Sequence, residues 1–180
     1  KTALTNTEGK LENVRISPDK KHILYSQSVL IKSLHSVDKY KDLPKSNAYV
    51  YDNLDYRHWD SFNDGRYAHP FVASYQDGQL GEPVDLLKDE PFYSPQAPLG
   101  AADNFIWSPD SKAVRYVAKK KEGRAYALST NTDSYRYELS TGAVTNLTEG
   151  MNGYDTHPHF DPKGTQLAWL SMREDGYEAD

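Results

Sequence analysis

Apolar and polar residues alternate along this chain in short runs. Val114-Arg115-Tyr116 and Ser134-Tyr135-Arg136-Tyr137-Glu138-Leu139 are examples. A period of two predicts strands, because successive side chains of a strand point to opposite faces. The runs are ordered by a pattern that occurs three times. The first copy is Asn13-Val14-Arg15-Ile16-Ser17-Pro18-Asp19, followed by His22-Ile23-Leu24-Tyr25-Ser26. The second is Asn104-Phe105-Ile106-Trp107-Ser108-Pro109-Asp110, followed by Ala113-Val114-Arg115-Tyr116-Val117. The third is His157-Pro158-His159-Phe160-Asp161-Pro162-Lys163-Gly164, followed by Gln166-Leu167-Ala168-Trp169-Leu170.

The copies are in register. A large apolar residue stands two before each proline (Ile16, Trp107, Phe160) and a branched aliphatic stands five after it (Ile23, Val114, Leu167). An aromatic follows at seven (Tyr25, Tyr116, Trp169). This predicts a hairpin. The incoming strand ends at the proline, which has no N–H to continue a ladder. Pro-Asp and the polar residues after it turn the chain. The outgoing strand then places its aliphatic and its aromatic on one face, to be buried against a neighbouring sheet.

Further strands complete each unit. Asp133–Leu139 alternates, and Gly142 turns the chain into Val144–Thr148. In the first unit Tyr67–Val72 is the matching third strand, with Pro70 demoting it toward an edge or a bulge. Gly81 then leads to Val84-Asp85-Leu86-Leu87. The third copy reaches Tyr177–Asp180 where its third strand would begin. Four-stranded units repeating at about 40–50 residues predict a propeller. The predicted fold is therefore all-β: an open, truncated partial β-propeller of about two and a half antiparallel four-stranded blades. Blade 1 spans about 11–90 with an insertion at about 29–65, blade 2 about 101–149, and an incomplete blade 3 about 154–180.

Composition narrows the function. Tyrosine fills 14 positions and aromatics reach 12%, which suits pleated, half-buried surfaces. A net charge of −5 argues against a nucleic-acid partner. The basic residues Lys119, Lys120, Lys121 and Arg124 read as a solvated hairpin tip rather than a phosphate site. With no cysteine there is neither disulfide nor thiolate–metal chemistry. No run approaches the ~20 apolar residues of a membrane helix. The start at Lys1 fits a processed or trimmed chain whose export signal would already be gone.

One stretch concentrates candidate chemistry: Tyr56, Arg57, His58, Trp59 and Asp60. The arginine fork can pair with a substrate carboxylate or carbonyl, the rings can form an apolar wall, and Asp60 can meet an ammonium group. The competing reading makes Trp59 a packing residue of a blade and Arg57–Asp60 an internal ion pair. His157, His159 and Asp155 do not read as a metal site, because His-Pro-His puts both histidines on one strand face without further ligands at a metal spacing. No cofactor is expected. Asn146-Leu147-Thr148 falls in a predicted strand and reads as a chance sequon.

The hairpin Trp107-Ser108-Pro109-Asp110 with Val114-Arg115-Tyr116 resembles propeller repeats of the Tol-system propeller protein and of the prolyl oligopeptidase family. More specific is Lys45-Ser46-Asn47-Ala48-Tyr49-Val50-Tyr51-Asp52-Asn53-Leu54-Asp55-Tyr56-Arg57-His58-Trp59-Asp60, followed by Gly65-Arg66 and Phe71-Val72. It resembles the dipeptidyl peptidase and acylaminoacyl peptidase branch of that family, the dipeptidyl peptidase five group above all. The resemblance implies the amino-terminal, non-catalytic part of a serine exopeptidase or oligopeptidase. There a propeller caps an α/β-hydrolase domain, restricts access and helps bind the amino end of a peptide. It also implies a periplasmic or secreted protein. No Gly-x-Ser-x-Gly elbow occurs, so the fragment itself is expected to be inactive, with no catalytic residue assigned. Relatives that hold a free amine often use adjacent glutamates, and no Glu-Glu pair occurs here. The alternative is a Tol-system-like adaptor working by protein–protein recognition. An unclosed propeller exposes a blade face and strand edges, which predicts self-association.

Overall fold

A computed structural model describes residues 9–176. The fold is predominantly β, a series of small antiparallel sheets in an open, propeller-like arrangement. No closed barrel forms among the described residues.

The first sheet begins with β1 (Leu11–Ile16) and β2 (His22–Leu30). The chain then leaves it for a short helix, α1 (Ser36–Lys39), and a small hairpin of β3 (Arg57–His58) and β4 (Ser61–Phe62). It returns as β5 (Arg66–Gln76), which pairs with β2 on one side and with both β6 (Gln79–Leu80) and β7 (Val84–Asp85) on the other. The second sheet has the order β8 (Phe105–Trp107), β9 (Ala113–Ala118), β10 (Asp133–Glu138), β11 (Val144–Asn146), with helix α2 (Gly123–Leu128) between β9 and β10. β12 (Asp155–Phe160) pairs with β13 (Leu167–Ser171). Tyr177–Asp180, where a third strand was expected, lie outside the described residues.

The three hairpins share one register. Ile16 pairs with Ile23, Trp107 with Val114, and Phe160 with Leu167. Their turns share one mechanism. Ser17 donates from its hydroxyl to Asp19 (2.6 Å) and accepts the His22 N–H (2.9 Å), while Asp19 accepts the Lys21 N–H (3.0 Å). Ser108, Asp110, Ala113 and Lys112 repeat these bonds at 2.6, 2.9 and 3.1 Å. In the third turn Asp161 replaces the serine, and its carboxylate accepts the N–H groups of Lys163, Thr165 and Gln166 directly. Lys20, Ser111 and Gly164 occupy the same place in each turn at φ 61, 60 and 71. The turns also touch: the Asp19 N–H donates to the Ser111 hydroxyl (3.0 Å), and a Cβ on Gly164 would meet Pro109 at 2.7 Å.

The main core lies between the first two sheets. Leu24, Val72, Leu86 and Leu87 of the first meet Phe105, Trp107, Val114, Tyr116 and Tyr135 of the second. The aromatic pair across the second and third strands recurs: Tyr25 stacks on Phe71 (centroids 5.5 Å) and Tyr116 on Tyr135 (5.3 Å). Such pairs contribute roughly 0.5–1.5 kcal/mol beyond the area they bury. Ile23, Tyr25 and Ala73 form a smaller cluster on the opposite face of the first sheet. Ile16 shares that face and stays 58% exposed, unlike its buried counterpart Trp107. Trp107 is covered by the first sheet, whereas no described sheet covers Ile16.

Two expectations are corrected. Pro70 stands in the central strand β5, not at an edge, and the ladder tolerates it for a geometric reason. Its carbonyl accepts the Leu86 N–H (3.0 Å), so the missing donor points to the same side, just beyond the end of β7. The stretch Lys119–Arg124 is not a solvated hairpin tip. The connection from β9 to β10 is long enough to hold α2, and its first residue continues the buried run of β9. Lys119 is buried, its N–H donates to Gln96 Oε1 (3.1 Å), and its ammonium stands 4.1 Å from the Tyr126 ring centroid. Lys120 pairs with Glu90 (2.5 Å).

Candidate functional site

The excursion between β2 and β5 carries Tyr56–Asp60, and its shape is set by Asn63. The Asn63 N–H donates to the Tyr56 carbonyl (2.9 Å), its carbonyl accepts the Tyr51 hydroxyl (2.8 Å), and its side chain accepts the Gly65 N–H (2.7 Å). The Asn63 amide also donates to the Tyr93 hydroxyl (3.2 Å), joining the excursion to the segment after β7. Gly65 is required where the excursion rejoins the sheet: it sits at φ 87, and a Cβ there would lie 1.8 Å from the Lys32 carbonyl oxygen. The rings of Tyr49, Tyr56 and Phe62 all pack against Tyr51 at the centre of the excursion.

This framework projects the β3–β4 hairpin over a cavity of about 610 Å³, within the range of small-ligand pockets. Four segments meet around it. The hairpin gives Asp55, Arg57, His58 and Trp59. The approach to β8 gives Gln96–Gly100. The α2 connection gives Lys119, Tyr126 and Thr130, and the start and end of the last hairpin give Tyr154 and Met172. Trp59 turns the hairpin at φ 50, a conformation that two-residue turns usually assign to Gly or Asn. It is 70% exposed, with its ring against His58 (4.7 Å), so it is not a packing residue of a sheet. Nor do Arg57 and Asp60 form the internal ion pair of the competing reading; among the described residues Arg57 has no ionic partner.

Three of the five sequence candidates, Arg57, His58 and Trp59, line the cavity. Tyr56 lines a shallower hollow with Arg124, and Asp60 is exposed at the hairpin tip. Among the lining residues not singled out in the sequence, Asp55, Lys119 and Tyr126 bring charge and an aromatic face. Asp55 was legible only as a neighbour of Tyr56, and Lys119 and Tyr126 arrive through tertiary folding alone.

The charges of the lining are uneven in their partners. Asp175, at the margin, is fully engaged. It accepts the Ser129 hydroxyl (2.6 Å) and the N–H groups of Thr130 (2.6 Å) and Asn131 (3.1 Å). Burial raises its pKa, but these bonds together outweigh burial and leave the carboxyl below its ordinary value. The Asp55 carboxylate, by contrast, has no hydrogen-bond or ion-pair partner among the described residues. Burial pushes its pKa up to about 6, against the opposing field of Lys119. Burial holds Lys119 below the ordinary lysine value, with Asp175 and Asp55 pulling the other way. The cavity thus offers a desolvated carboxylate, a desolvated ammonium, and a rim of Trp59, Leu99 and Tyr126. That combination suits a small ligand with a cationic group, an oxygen acceptor and an apolar part.

His157 and His159 project to solvent from β12 with Pro158 buried between them, and His157 pairs with Asp103 (2.9 Å). Among the described residues no cluster of three or more His, Cys, Asp or Glu is placed to hold a metal ion. No described helix is long and apolar enough to cross a membrane.

No protein-family model matches the sequence. The chain is homologous to proteins named dipeptidyl-peptidase 5. It is 40% identical to that of Porphyromonas gingivalis over 172 residues and 39% identical to that of Porphyromonas endodontalis over 177, covering 96% and 98% of this chain. A Schizosaccharomyces pombe protein of the same name is 29% identical over 97% of the chain. In each case the match covers 25% of the relative, so the chain spans about a quarter of the length of the curated relatives it matches.

Proposed function

We propose that this chain is the propeller portion of a serine exopeptidase of the dipeptidyl-peptidase 5 type, and that its cavity receives the amino end of the peptide substrate. The observation that carries this reading is the unpartnered, half-buried Asp55 carboxylate beside Arg57, His58 and Trp59. A carboxylate raised by burial and lacking an internal donor is completed by a ligand ammonium, which restores the hydrogen bonds lost with water. In this reading Asp55 takes the role that adjacent glutamates would otherwise fill. Trp59 and Leu99 shield the pair from water, and Arg57 faces the peptide as it enters. Homology along nearly the whole chain to proteins named as dipeptidyl peptidases supports the assignment. The three-fold hairpin register supports successive blades of one propeller. Such a protein works in the periplasm or outside the cell, where peptides are scavenged. Its hydrolytic residues lie on a separate α/β-hydrolase domain.

The test uses the whole polypeptide that carries this chain. It releases a chromogenic group from a free-amine dipeptidyl reporter and leaves the N-acetylated reporter intact, and Asp55→Asn raises KM for the free-amine reporter. No hydrolysis by the wild type, together with a reading frame that holds no hydrolase domain, would transfer the chain to the Tol-system-like adaptor class.

A further inference from the structure

Lys119 is a buried lysine among the described residues. It follows directly on β9, is 8% exposed, and lines the same cavity as Asp55. Its backbone N–H is satisfied by Gln96 Oε1 (3.1 Å). Its ammonium, however, has no carboxylate, carbonyl or hydroxyl partner among the described residues; only the Tyr126 ring faces it, at 4.1 Å. The next residue is treated differently: Lys120 pairs with Glu90. A ring face is a partial substitute for water around an ammonium, worth roughly 0.5–2 kcal/mol, and leaves the three N–H donors to whatever fills the cavity. A buried cation without an acceptor is costly unless the site is completed by something that brings one.

We propose that the Lys119 ammonium is a ligand-binding group that donates to an oxygen acceptor of the bound peptide, next to the amine held by Asp55. The inference rests on the reading of the cavity as the seat of a peptide amino end. A peptide presents its ammonium nitrogen and its first carbonyl oxygen close together, which matches the unpartnered Asp55 carboxylate and the buried Lys119 ammonium of one cavity; Arg57, the other cation of the lining, is exposed. An acidic first side chain would present the same acceptor chemistry from a second source. Tyr126 is then a positioning residue: its ring holds the ammonium over the cavity when no peptide is bound.

Lys119→Met keeps the length and apolar body of the side chain, so packing against Tyr126 survives and the folded state is expected to be no less stable. Lys119→Arg retains a donor. In the whole polypeptide, kcat and KM are read for Ala-Ala and Glu-Ala reporters, alongside thermal unfolding of each variant. Lys119→Met is expected to raise KM for both reporters by about tenfold or more, the usual loss for a charged hydrogen bond. Lys119→Arg recovers most of it, and the melting temperature is unmoved. An equal loss on both reporters assigns the backbone carbonyl; a loss confined to Glu-Ala assigns the acidic side chain. Unchanged KM on both reporters overturns the inference while leaving the peptidase reading intact. Absence of wild-type hydrolysis removes that reading first. A fall in kcat and melting temperature without a KM change makes Lys119 structural and also overturns it.

Discussion

Replacing Asp55 by asparagine separates the charge of this side chain from its shape, and the structure fixes both the sign and the size of the effect. Burial raises the Asp55 carboxyl from an ordinary 3.8 to about 6. The folded chain therefore binds more protons here than the unfolded chain between those two values, and stability falls as pH rises through that window. Below pH about 4 the cost is absent; above about 6 it is complete. A shift of roughly two units corresponds to about 3 kcal/mol for a fully shielded group. Asp55 is only half-buried, so solvent screening reduces this to on the order of 1 kcal/mol. Asparagine carries no charge at either end of the window. Asp55→Asn is thus expected to gain about 1 kcal/mol relative to wild type at pH 7.5 and to show little of that gain at pH 4. Urea unfolding of both proteins at the two pH values, with unchanged m-values, measures the difference of differences. A variant equally displaced from wild type at both pH values, or less stable at pH 7.5, would mean that the folded chain already satisfies this carboxylate. The binding role assigned to it would then lose its basis.

Three further outcomes follow from packing. Leu24 is fully buried between the first two sheets, and Leu24→Ala is expected to cost about 2–5 kcal/mol in urea unfolding; a cost under 1 kcal/mol would contradict the sheet-on-sheet core. Ser108→Ala removes both the donor to Asp110 and the acceptor for the Ala113 N–H, and should cost roughly 1–3 kcal/mol; a neutral result would show that the turn does not need its relay. The exposed Val14 and Ile16 on the outer side of the first sheet lead us to propose that the 180-residue chain self-associates. Multi-angle light scattering would show mass rising with concentration, and a constant monomer mass at high concentration would contradict it.

The hairpins were legible in the sequence because their determinants are local. A serine or aspartate before proline, a left-handed residue two after it, and an aliphatic at five fix turn and register within about ten residues. Pro70 was misjudged because its tolerance depends on how far β7 extends, which is set fourteen residues later. Ile16 and Trp107 look alike as sequence, yet their burial differs because only one has a sheet in front of it. The hairpin Arg57-His58-Trp59 stood out by composition. Asp55 and Lys119 did not, since an unremarkable Asp and one lysine of a basic run acquire their character from desolvation in a cavity built by four separate segments.

The decisive question is where a peptide's amino end comes to rest. A crystal structure of the whole polypeptide with a non-hydrolysable free-amine dipeptide bound resolves this directly. The ammonium is expected within about 3 Å of an Asp55 carboxylate oxygen, with the peptide running beneath Trp59. An ammonium held by other residues, with Asp55 still unpartnered and the cavity empty, would contradict it.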